Sequence, residues 1–158
     1  MNQASADTAI ADSVQIVSKT RAELTGLLEL VRADFDGIPR SGFDAPTALE
    51  FQALVTRWDE LAERLIGTLT ALENALCDAS RQRDCCTRRD APRDPGTPDA
   101  GQVLHRLEAA LQRQLPLWPP SLVPEYTHAQ AEWTTARTGL DFVREQVEYL
   151  VLGVGSDA

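Results

Sequence analysis

The chain has 158 residues and a mass of 17.3 kDa, with 15 Lys+Arg against 24 Asp+Glu and a formal net charge of -9 at pH 7. A length that organises a single core, roughly 100 to 200 residues in most proteins, excludes a large multidomain enzyme. A pI near 4.6 argues against general nucleic-acid binding, which needs clustered Lys and Arg to release counterions.

No apolar run approaches the roughly 18 residues that span a bilayer. Residues 1–12 have neither the basic start nor the apolar segment of a signal peptide. The expected location is therefore the cytoplasm, with secretion only by a signal-peptide-independent route. The three cysteines, Cys77, Cys85 and Cys86, are an odd number that cannot form a complete disulfide framework, which favours a reducing compartment.

In chain order, the first element is a helix over residues 10–35. Ile10, Val14, Val17, Arg21, Leu24, Leu28, Val31 and Phe35 recur at steps of four and three, the a/d seam of an amphipathic helix about 40 Å long. Arg21 alone interrupts the seam, either snorkelling at an edge or paired with an acid of a neighbouring helix. Asp36-Gly37-Ile38-Pro39 ends the pattern. A second helix is expected from Ala45 or Pro46, with Asp44 as N-cap. Its seam is Phe51, Leu54, Trp58, Leu61, Leu65, Leu69, Leu72 and Leu76, widened by Val55, Ala62 and Ile66. Two such helices joined by a short loop read as an antiparallel hairpin over residues 8–78.

Residues 79–100 then change character, with three prolines, five arginines and four aspartates and hardly any apolar side chains. Such a stretch buries too little surface to offset its ordering entropy and reads as a flexible linker. Thr97-Pro98 suits a helix start, and Val103, Leu104, Leu107, Leu111 and Leu115 mark a shorter third helix that stops at Pro116. Pro116 to Pro124 reads as an extended crossover. The last helix, expected over 126–152, places Trp133, Ala136, Leu140, Val143, Val147, Leu150 and Val154 in three-four spacing, with Gly153 and Gly155 at its exit. The whole is an all-α protein of two helical hairpins, 8–78 and 101–153, in a four-helix-bundle-like arrangement.

The two halves share a pattern. Phe51 and Trp58 stand seven apart, and so do Tyr126 and Trp133, 75 positions on; at the same offset Leu65 answers Leu140 and Leu72 answers Val147. Each half thus holds a helix, a loop and a longer helix with an aromatic residue and a tryptophan near its start. The first helices of the halves do not align at this offset.

The first hairpin resembles the WXG100, or ESAT-6-like, family of type VII secretion substrates. The carriers are Gly42 in the loop, the small Ala45 and Ala48, then Phe51 and Trp58, followed by Leu65, Leu69 and Leu72. Arg40 stands where the family's Trp-x-Gly turn has its tryptophan. The tyrosine-to-acid secretion signal is absent, since Tyr126 is followed four residues on by Gln130, and Tyr149 by Gly153. The resemblance implies a small acidic hairpin that pairs with another hairpin into a four-helix bundle, with Phe51, Trp58, Leu65 and Leu72 at the contact.

Residue chemistry points the same way. Cys77, Cys85, Cys86 and His105 have no Cys-x2-Cys knuckle, so no metal site is expected; arginines around Cys85 and Cys86 favour thiolate and redox reactivity instead. His105 and His128 have no motif about them, and no Glu-x-x-His pair suggests a di-metal bundle. The acids Glu23, Glu29, Asp59, Glu60, Glu63 and Glu73 fall mainly on polar helix sides. No catalytic residue and no cofactor is expected. Trp58 and Trp133 belong to the apolar stripes, and Trp118, among prolines, either anchors a partner or folds back over the bundle end. Residues 1–78 hold 13 acids and 6 bases, a charge that steers basic partners.

The expected function is protein–protein interaction through helical faces, as a homodimer or heterodimer. Phe51, Trp58, Leu65, Leu72, Trp118, Tyr126, Trp133 and Leu140 are the packing or partner-binding residues. A cytosolic helical adaptor or chaperone is the alternative, and a ligand- or metal-binding bundle enzyme is a further one.

Overall fold

The computed structural model describes residues 2–79 and 100–156, and the side chains of 7–79 and 100–153 within them. The heptad stripes become four helices: α1 (Asn2–Asp36), α2 (Ala45–Ala79), α3 (Ala100–Gln114) and α4 (Val123–Ser156). There is no strand among the described residues, so the all-α class stands. No described helix is long and apolar enough to cross a membrane. The expected linker lies outside the described residues except at its ends, Ala79 and Ala100, which are helical.

Helix α1 stops where Gly37 donates its N–H to Ala33 O at 3.0 Å. The chain turns with Phe43 N–H on Arg40 O at 3.1 Å, and Arg40 lies over the Phe51 ring, 5.5 Å from its centroid. Asp44 caps α2: its carboxylate accepts the Thr47 N–H at 2.8 Å while its carbonyl accepts Ala48 N–H at 2.9 Å.

Helix α2 packs against both α1 and α4, and α1 also packs against α3. Side-chain pairs set the directions. Arg21 meets Glu73 and Arg32 meets Asp59, so α1 and α2 are antiparallel. Arg64 meets Glu132 at 3.7 Å, and a Cβ on Gly139 would lie 2.8 Å from Leu61 Cδ1, so α2 and α4 are antiparallel and in close approach. Arg106 meets Glu23 at 3.0 Å while Trp118 meets Ser13, so α3 runs down the first half of α1. Around the bundle the order is α3, α1, α2, α4. Helix α3 has 15 residues against 34 or 35 in each of the others.

Most of the seam residues form the core. Ile10, Val14, Val17, Leu24, Phe51, Leu65, Leu69, Leu76, Leu104, Leu111, Trp133 and Leu140 are all nearly inaccessible to solvent. Five expectations need correction. Helix α1 begins at Asn2, ahead of the apolar seam that starts at Ile10. Glu73 is buried, not on a polar side, because Arg21 of the facing helix needs its charge. The Pro116–Pro124 stretch is not extended: two 3₁₀ turns, Leu115–Leu117 and Pro120–Leu122, compact it, each placing a proline where a missing N–H costs nothing. Helix α4 starts at Val123, before the expected Tyr126, with Pro124 in its first turn. It also runs through Gly153 and Gly155 to Ser156, since glycine only weakens a helix by about 1 kcal/mol.

Candidate functional site

All eight residues expected to pack or to meet a partner are buried in the chain's own core, between 0% and 4% exposed. The five aromatic ones among them, with Phe35 and Phe43, form clusters behind the two hairpin turns. In the first, Phe35 meets Trp58 edge-on at 5.2 Å between centroids, and Phe43 lies 5.4 Å from Phe51. In the second, Tyr126 lies between Trp118 at 6.2 Å and Trp133 at 5.7 Å, both edge-on. The repeated aromatic-to-tryptophan spacing therefore places equivalent groups behind both turns. Leu65, Leu72 and Leu140 fill the interior between α2 and α4.

Buried polar atoms tie these clusters to distant helices. Trp118 folds back over the bundle and donates its indole N–H to Ser13 Oγ at 2.9 Å; Ser13 in turn donates to Ala9 O at 2.7 Å. Trp133 donates to Glu108 Oε1 on α3 at 2.9 Å. Burial, reinforced by the Glu108 charge, raises the Tyr126 phenol above its ordinary pKa of 10.0, against the lowering effect of Gln112. Arg21, on the α1 seam, pairs with Glu73 and donates to Thr70 Oγ1 at 3.2 Å, and the Thr70 hydroxyl donates to Ile66 O at 2.9 Å. Of the two roles open to Arg21, the pairing with an acid is the one observed.

An open groove of about 620 Å³ lies between α1 and α2. No residue of α3 or α4 lines it. Leu28, Trp58, Ala62 and Ile66 make its apolar floor, and Glu29, Asp59, Glu63 and Arg32 stand at its rim. Arg32 spans the groove, bonded to Asp36 on its own helix and to Asp59 of α2 at 2.9 Å. Burial weighs against its charge, but the bonds to Asp59 and Asp36 outweigh that and hold the guanidinium above its ordinary pKa. Of the eight expected residues only Trp58 reaches this groove. Ala62 and Ile66 signal it in the sequence, because they widen the α2 stripe beyond what one packing partner covers.

A second groove, about 480 Å³, lies between the C-terminal halves of α1 and α4. His105 and His128 are both exposed, on different helices. Among the described residues no three His, Cys, Asp or Glu side chains come together as a metal site. Cys77, half-buried near the end of α2, is disulfide-bonded, where the sequence favours reduced thiols; Cys85 and Cys86 lie outside the described residues. Comparison with protein families, with curated proteins and with solved structures found no match.

Proposed function

We propose that the protein acts by binding another protein through a helical face, without catalysis. The observation that carries this reading is the α1–α2 groove: an apolar floor of Leu28, Trp58, Ala62 and Ile66 that no described residue of α3 or α4 covers. Its shape suits one amphipathic helix laid along it, and its rim of Glu29, Asp59 and Glu63 suits lysine or arginine flanking that helix's apolar stripe.

In its narrower form the proposal follows the WXG100 resemblance and makes the protein a type VII secretion-associated hairpin. The face that a second hairpin would cover is already occupied by α3 and α4, so the partner would use the outer groove. A cytosolic adaptor or chaperone would use the same groove but remain in the cell. The test is capture of partners from the native host by tagged wild-type chain and by an Ile66→Glu variant whose helicity and melting are unchanged. A partner helix bound by wild type and lost with Ile66→Glu is the expected result; equal capture by both would overturn the assignment of the groove. A small helical hairpin or a secretion ATPase among the lost partners, with the chain itself found outside the cell, favours the narrower form.

A further inference from the structure

Helix α3 occupies its place in the bundle for less than half the bundle's length. Its Arg106 pairs with Glu23 of α1, and its first turn lies under Arg137 of α4, where a Cβ on Gly101 would stand 2.8 Å from the guanidinium. Beyond that point nothing described continues its line. Leu30, seven residues after Glu23 and so on the same side of α1, is 53% exposed. Where the missing length of α3 would lie, the second groove opens between Val31 and Ile38 of α1 and Val147 and Val151 of α4. Among the described residues the bundle is four helices thick at one end and three at the other.

The sequence that precedes α3 is poor in the apolar side chains that such a gap takes. Residues 80–99, which precede α3, offer Cys85, Cys86 and Ala91 as their only hydrophobic residues, with five arginines and three prolines.

The charges at the groove point to its occupant. Asp34 stands on the α1 side, and Arg144 and Glu148 on the α4 side. None of the three takes part in a salt bridge among the described residues. Arg144 and Glu148 are one helical turn apart on one face of α4. Such a face carries both signs and complements itself under a two-fold axis. With two α4 helices antiparallel and the axis level with Gln146, Arg144 of each copy lies opposite Glu148 of the other. Each α4 then seats in the gap that the short α3 leaves in the other copy, against Val31 and Ile38.

We infer that this groove is the contact between two copies of the chain, closed by antiparallel α4 helices through reciprocal Arg144–Glu148 pairs. The inference rests on the reading of the protein as a helical contact module but uses a different surface, the α1–α4 groove instead of the α1–α2 one.

The test is sedimentation equilibrium of the full chain over a wide concentration range. Wild type is expected to reach twice its 17.3 kDa. Arg144→Glu and Glu148→Arg, both at exposed positions and checked for unchanged helicity, each place like charges opposite each other twice per dimer. Each is expected to raise the dissociation constant by about tenfold or more. Combining the two changes in one chain restores opposite signs at both contacts and should restore the dimer, and so should mixing the two single variants. A wild type that stays monomeric, or single variants that dimerise as wild type does, would overturn the inference. Loss of the dimer on Ile66→Glu would also overturn it, because self-association would then run through the other groove, leaving the contact-module reading in place.

Discussion

The least expected residue of the interior is Arg21, because a cation on an apolar seam carries a large desolvation cost. The cost is met by Glu73 on the facing helix and by the Thr70 hydroxyl, which leave both side chains about nine-tenths buried. Removing one partner strands the other, so Arg21→Met or Glu73→Leu alone should destabilise the fold by about 3 to 5 kcal/mol, whereas the double substitution should be near neutral or stabilising. Urea unfolding of the four proteins in a double-mutant cycle checks this; additive losses would show that the two charges are not coupled. What the pair supplies is register. It joins the middle of α1 to the last third of α2, and a slip of either helix by one turn breaks it. The sequence displays Arg21 as an interruption of the seam, but Glu73 is invisible there, since one glutamate among many looks solvated until its neighbour across the helix interface is known.

At the scale of elements, apolar periodicity and punctuation make most of the fold legible. Most residues of the α1, α2 and α4 seams lie in the observed core, with Val31, Leu54 and Leu150 packed against it half-buried, and Gly37 and Asp44 end and start their helices as read. The misreadings fall where the signal is local chemistry. Prolines between 116 and 124 look like an extended strap, yet a proline is equally at home in the first turn of a helix, and two 3₁₀ turns and the start of α4 use it so. Burial of Trp118 was undecidable from sequence because its partner, Ser13, lies more than 100 residues away. The cap of α2 carries a pH prediction. The Thr47 side chain and backbone N–H both bond to the Asp44 carboxylate and hold its pKa below the ordinary 3.8. A depressed folded-state value means that the charged cap stabilises the fold above pH 3.8 and loses that contribution as pH falls through the lower, folded-state value. Asp44→Asn keeps a capping oxygen without the charge. Its melting temperature should lie below that of wild type at neutral pH, and the gap should close in acid; a gap constant down to pH 2 would mean that the charge plays no part.

For the whole molecule, the decisive property is that α3 and α4 of the same chain cover the inner face of the first hairpin. The aromatic residues that the sequence marks as contact candidates are spent on that closure, Phe51, Trp58, Tyr126 and Trp133 among them. Sequence reading places them on the correct face but leaves the neighbour open, because a stripe of apolar residues specifies that it must be covered, not whether the cover belongs to the same chain. What remains for partners is set by mismatch. A stripe on α2 wider than α4 and the inner side of α1 can cover leaves the acidic-rimmed groove, and an α3 of less than half length leaves the gap between α1 and α4. Both mismatches are present in the sequence, as Ala62 and Ile66 beside the α2 seam and as a third stripe that starts late and stops at Pro116.

The most direct test of the central claim, that a partner helix lies in the α1–α2 groove of an intact bundle, is amide hydrogen exchange with and without a partner captured by wild type. Residues 25–32 and 58–74 should exchange more slowly in the complex while α3 and the first half of α4 are unchanged. Faster exchange in α3 and α4, which would mean that the partner displaces them and takes the inner face of the first hairpin, would contradict the account.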